Sequence, residues 1–116
     1  MRAFAFVLGF AIAGIAPPAI AHAFLQSAVP AANASLATAP VEIALQFSET
    51  LEPTFSDIDI TDAAGNDVKA APVVTQGTSM RVSLKPLNPG NYRVRWRAVS
   101  IDTHRTEGAY SFTVKS

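Results

Sequence analysis

Three residues carry most of this chain's capacity for chemistry: His22, Asp102 and His104. Asp102 and His104 stand two apart in Ser100-Ile101-Asp102-Thr103-His104. Side chains two apart in an extended segment project to the same side, so the pair can converge on one point. His22 follows Ala19-Ile20-Ala21, and processing there would make it the first residue. A freed α-amine has a pKa of about 7.7–8.0 and yields its proton readily to a metal. With the imidazole Nδ1 of the same residue it closes a six-membered chelate ring. Adding Asp102 and His104 gives three nitrogens and one carboxylate oxygen. Tetragonal N,O coordination suits Cu(II), and zinc can take the same atoms in a tetrahedral arrangement. The chain has no cysteine, which excludes disulfides, thiolate zinc sites and cysteine nucleophiles and leaves no thiol to reduce Cu(II).

The leading segment decides whether that terminus exists. In Met1–Ala21 one early cation, Arg2, precedes an apolar run from Ala3 to Ala16; Pro17-Pro18 and then small residues follow. This is the order of a cleavable export signal, and the prolines stop the run short of the ~20 apolar residues of a membrane span. Cleavage after Ala21 starts the mature chain at His22; the overlapping Ala21-His22-Ala23 would start it at Phe24 and discard the histidine. The first cut is favoured, because Pro17-Pro18 then sits just before a cleavage region of normal length. The predicted organisation is therefore a signal peptide at 1–21 and one domain at 22–116. A small exported domain without disulfides fits a bacterial periplasm better than a eukaryotic exterior.

The elements that must position these groups read as strands. Val41, Ile43, Leu45 and Phe47 alternate with polar or small residues, and so do Ile58 and Ile60 within Phe55–Thr61; period two predicts half-buried strands. Asp62 to Asp67 is a turn cluster around Gly65. Val73-Val74 and Met80, Val82, Leu84 predict two further strands. After Pro86-Leu87-Asn88-Pro89-Gly90, Tyr92, Val94, Trp96 and Ala98 face one way and Arg93, Arg95 and Arg97 the other. A last strand over Gly108–Val114 and a first over Phe24–Val29 bring the count to seven. Ala28–Pro40 is expected as an ordered loop with Leu36 tucked under the sheets. Seven short strands in about 100 residues predict an all-β, immunoglobulin-like β-sandwich with Trp96 as its central core residue.

Nine basic against nine acidic residues give no net charge, which argues against a nucleic-acid binder needing a basic stripe. The arginine row is expected as a solvated face, with Arg97 and Arg105 in position to orient Asp102. Asp57, Asp59, Asp62 and Asp67 lack the spacing of an EF-hand loop, and no glycine-rich elbow surrounds a serine nucleophile.

His22-Ala23-Phe24-Leu25, Phe47-Ser48-Glu49, Pro89-Gly90-x-Tyr92 and Trp96-Arg97-Ala98-Val99-Ser100-x-Asp102-Thr103-His104 together resemble the CopC family of periplasmic copper-binding proteins, in order and over essentially the whole mature chain. The resemblance implies a seven-stranded Greek-key sandwich binding one Cu(II) per chain through the His22 amine and imidazole, Asp102 and His104. It also implies that Glu49 stands near the site as a neighbouring hydrogen-bond acceptor. Some family members carry a methionine-rich loop for Cu(I). Here the mature chain holds one methionine, Met80, in an alternating strand, so no separate Cu(I) site is expected; soft Cu(I) ligation needs several thioethers.

The expectation is a monomeric copper carrier for resistance or homeostasis, not an enzyme, passing its ion to a membrane copper transporter or a periplasmic acceptor, with no membrane span in the mature protein. Two alternatives belong to other classes. One is a copper-dependent oxidative enzyme with an N-terminal histidine brace, against which stand the small surface and Asp102 filling a position oxygen needs. The other is a metal-free immunoglobulin-like interaction module.

Overall fold

A computed structural model of the chain describes residues 23–116; the expected signal segment and His22 lie outside the described residues. Among these, eight strands form two four-stranded sheets: β1 (Leu25–Val29), β2 (Ser35–Leu36), β3 (Glu42–Phe47), β4 (Asp57–Thr61), β5 (Val74–Gln76), β6 (Ser79–Ser83), β7 (Gly90–Val99) and β8 (Arg105–Val114). One sheet runs β1-β3-β6-β5 and the other β2-β8-β7-β4. The chain crosses between sheets at β1–β2, β2–β3, β3–β4, β4–β5 and β6–β7, which gives the predicted all-β sandwich its Greek-key connectivity.

The alternation read from the sequence is the alternation of burial. Ile43, Leu45 and Phe47 of β3 with Met80 and Val82 of β6 face Ile58, Ile60, Val94, Ala98, Phe112 and Val114 of the second sheet. Each buried branched or aromatic side chain contributes about 1.5–3 kcal/mol of transfer free energy. Met80 is completely buried among them, so its thioether serves packing.

Four expectations need correction. The strand count is eight, because Ser35–Leu36 within the Ala28–Pro40 stretch pairs parallel with Thr113–Val114; two residues are too few for a periodic signal, though Leu36 does pack on the core. Val41, expected inward, precedes β3 and is 78% exposed. The last strand begins three residues early, at Arg105, because β7 and β8 stay paired from Gly90↔Val114 to Val99↔Arg105. Trp96 is only half-buried. Its ring lies over Gly108 on β8 and meets Phe47 edge-on at 5.2 Å, so Phe47 and Phe112 are the large fully buried aromatics.

Two tyrosines behave differently. Tyr92 stacks on Phe112 with ring centroids 5.4 Å apart and donates its hydroxyl to the Asn88 carbonyl, a link that ties β7 to the preceding turn. Tyr110 points inward, its hydroxyl oxygen buried without a hydrogen-bond partner, and burial pushes the phenol up to about 12.

Candidate metal centre

The ten-residue arms of β7 and β8 end at Val99↔Arg105, leaving Ser100–His104 as a tight connection at one end of the sandwich. Two backbone hydrogen bonds close it: Thr103 N–H to Ser100 O at 2.8 Å and Ser100 N–H to His104 O at 2.9 Å. Closing so short a loop puts Thr103 at φ 72°. This left-handed conformation usually falls to glycine or asparagine in hairpin connections and costs a side-chain-bearing residue about 1–2 kcal/mol.

That turn, rather than an extended segment, brings Asp102 and His104 together. Asp102 Oδ1 lies 3.2 Å from His104 Nδ1. The same oxygen accepts the hydroxyl of Ser100, whose side chain is buried, and the His104 N–H at 3.5 Å. The Ser100 hydroxyl, chiefly, lowers the Asp102 pKa below its ordinary 3.8; desolvation opposes it, and the ring and backbone N–H of His104 and its charge each add a smaller lowering. The carboxylate is therefore held ionised by donors that also fix its direction. Both side chains remain about 43–44% exposed as a whole, while the His104 Nδ1 atom itself is buried.

The start of the described chain is fastened beside this loop. Ala23 is fully buried, and its carbonyl accepts the Thr106 hydroxyl at 2.6 Å; Thr106 stands two residues beyond His104. Phe24 and Ser48 clasp each other, Phe24 N–H to Ser48 Oγ and Ser48 N–H to Phe24 O, both at 2.9 Å. After Ser48 the chain turns toward the loop, where Ile101 N–H meets Thr50 O at 3.1 Å and Leu51 bridges Ser100. Glu49, half-buried, thus sits in the segment joining the Phe24 clasp to the Asp-x-His connection. The sequence alone does not reveal the Ser100 and Thr106 anchors; a serine two residues before the aspartate is the one signal that could have found the first.

The structure does not bring Arg97 to Asp102. Arg97 Nε reaches the Phe55 carbonyl at 3.4 Å on the outer face of the second sheet, and no ion pair among the described residues joins Arg97 or Arg105 to Asp102. The arginine row also lies against acids. In register, Arg97 stands between Asp57 and Glu107, and Arg95 beside Asp59.

Among the described residues no three His, Cys, Asp or Glu side chains gather as a metal site. Asp102 and His104 are the two such side chains that meet at this loop.

A family model described as the CopC domain matches residues 25–115. Copper resistance protein C of Escherichia coli is 39% identical over 121 residues, covering 96% of this chain and 95% of that protein. Among solved structures, PcoC, a methionine-rich copper resistance protein from Escherichia coli, superposes with a TM-score of 0.71 at 43% identity, covering 82% of this chain and all of that one. CopC from Methylosinus trichosporium OB3b gives a TM-score of 0.74 at 34% identity, over 81% of this chain and 94% of that one.

Proposed function

The chain belongs to the CopC family, and from that premise we propose that it is a periplasmic carrier of one Cu(II), held by the His22 amine and imidazole together with Asp102 and His104. Its relatives' names, copper resistance protein C and copper transport protein CutJ, support a role in copper resistance or transport rather than catalysis. The observation that carries the reading is the 3.2 Å approach of Asp102 Oδ1 to His104 Nδ1. Two donors about 2.0 Å from one ion lie ~2.8 Å apart in a square plane and ~3.3 Å apart in a tetrahedron, given usual metal–ligand lengths. The spacing therefore suits two donors to one ion, provided the metal displaces the proton at His104 Nδ1 and reaches that buried atom.

The missing donors come from His22. Ala23 is fixed beside Thr106, and consecutive Cα atoms lie ~3.8 Å apart, which supports the reading that a residue immediately before Ala23 can reach the loop. Export and cleavage after Ala21 are what expose its amine. Glu49, between the Phe24 clasp and the loop, is placed to accept hydrogen bonds from the ligands. With Met80 in the core, the carrier holds its ion at this single site. Protonation of amine and imidazoles, reduction, or exchange with an acceptor's ligands would release it.

The test is a Cu(II) titration of the exported protein, followed by electron paramagnetic resonance and competition with a chelator. One equivalent should bind with nitrogen hyperfine structure. His104→Ala, His22→Ala and a chain starting at Phe24 should each lose affinity by orders of magnitude. Asp102→Ala should lose less, because a carboxylate is the weaker and more replaceable ligand. Full affinity in the chain starting at Phe24 would overturn the site.

A second reading comes from the same contact. A carboxylate 3.2 Å from an imidazole nitrogen can instead orient the ring so that Nε2 takes the metal. Asp102→Asn separates the two. A ligand role changes the copper spectrum, whereas an orienting role leaves it unaltered.

A further inference from the structure

Beside the Asp-x-His loop, on the outer face of the second sheet, lies a cleft of about 370 Å³ lined by Thr54, Phe55, Arg97, Val99, Thr103 and Arg105. It exists because the chain before β4 leaves the sheet and returns. Asp57 pairs with Arg97, the Glu52–Phe55 turn swings outward, and Leu51 rejoins at Ser100. Ser56 ties the bulge down by accepting the Val99 N–H at 3.0 Å. The nearly buried Val99 becomes an apolar floor, with Phe55, 59% exposed, on one wall.

Two guanidinium groups share this cleft. Arg97 has acids on both flanking strands and Arg105 is opposite Val99; the lining of the cleft itself holds these two guanidinium groups and no acid. Arg93, the other arginine of this sheet without an acid in register, lies at the far end of β7 opposite Thr61 and Ser111. Paired guanidinium groups over an apolar floor suit a carboxylate on a short apolar stem. A lipid surface fits poorly, since basic segments that bind one gather four to eight cations, whereas this cleft holds two, with Asp57 and Glu107 in register beside Arg97. Thr103, on the rim, is the residue between Asp102 and His104.

We propose that this cleft seats a glutamate or aspartate side chain from an acidic segment of the protein that exchanges copper with this chain, docking that partner against the metal loop. The inference rests on the carrier reading for the partner's purpose, while the cleft's preference for a carboxylate stands on its own geometry.

The test uses two blocked peptides, acetyl-Phe-Glu-Glu-amide and acetyl-Phe-Gln-Gln-amide, titrated into ¹⁵N-labelled protein. The acidic peptide should shift the Arg97 and Arg105 Nε–H and Phe55 amide signals saturably, binding roughly tenfold tighter than its neutral twin, the worth of a hydrogen bond to a charged group. Arg105→Gln should abolish that preference and still bind one Cu(II). Equal binding of the two peptides, an unchanged preference in Arg105→Gln, or shifts spread equally to Arg93 would overturn the proposal. So would anionic phospholipid vesicles that displace the acidic peptide from the cleft. Saturable acidic-peptide binding by a protein that takes up no Cu(II) would leave the cleft in place and remove the carrier reading instead.

Discussion

Gly108→Ala tests the packing that positions β8 and, with it, the metal loop. A Cβ at Gly108 would stand 2.6 Å from Trp96 Cζ2, 2.8 Å from Cε2 and 3.0 Å from Nε1, where carbon atoms pack best at about 3.5–4.0 Å. The indole must therefore retreat by about 1 Å, and its other side is held against the buried Phe47. Overpacking of this kind costs about 1–3 kcal/mol. Replacing a strand glycine with alanine recovers roughly 0.5–1 kcal/mol of backbone entropy, leaving a net loss of about 1–2 kcal/mol. For a domain of this size that is a fall of about 4–16 °C in Tm. Thermal and urea unfolding measure it, and the chain's one tryptophan reports the displacement by fluorescence. Gly65 supplies the contrast, with φ +86° and nothing within 4 Å of an added Cβ. Its demand is conformational, so asparagine there should be milder than alanine, whereas at Gly108 asparagine should be worse. Unchanged stability and fluorescence in Gly108→Ala, or the same residue order at both glycines, would refute the steric argument.

Ser100→Ala removes the donor that does most to lower the Asp102 pKa. Asp102 should then titrate closer to its ordinary 3.8 by carboxyl NMR, and Cu(II) affinity should fall as the carboxylate loses its direction. Because the folded value is depressed, the stability that this carboxylate gives is present above the unfolded pKa and is lost as pH falls through the folded one. The wild-type protein should show that acid-side loss and Ser100→Ala less of it, measured by urea unfolding across acidic pH. Tyr110 runs the other way. Its folded value of about 12 stands above the ordinary 10.0, so its contribution is intact below pH 10 and declines as pH rises toward 12. Tyr110→Phe should abolish that alkaline loss, and at neutral pH it should be neutral or stabilising, since it deletes a buried hydroxyl with no partner. Thr103→Gly should raise stability by about 0.5–1 kcal/mol, the left-handed cost relieved less the extra entropy of glycine when unfolded, with Cu(II) still bound through Asp102 and His104.

The proposed metal donors were legible because coordination chemistry is a property of residue types: an Asp-x-His string, a histidine behind an export-signal pattern, and no thiol. The sandwich was legible too, since period-two alternation records on each residue which side of a strand is dry. The reason for convergence was not. Asp102 and His104 meet because a five-residue hairpin connection forces Thr103 into the left-handed region and Ser100 anchors the carboxylate, a geometry set by the pairing of β7 with β8. Trp96 looked like the centre of the core, yet Gly108 across the strand pair lets its ring slide outward. The arginine row looked like an open cationic face until β4 laid Asp57 and Asp59 beside it. The Ser35–Leu36 strand exists only because β8 offers it an edge. Alternation and ligand chemistry are local, carried by each residue and its near neighbours. Which strand lies beside which, and in what register, is fixed only when distant segments close on a shared core, and that closure builds the site.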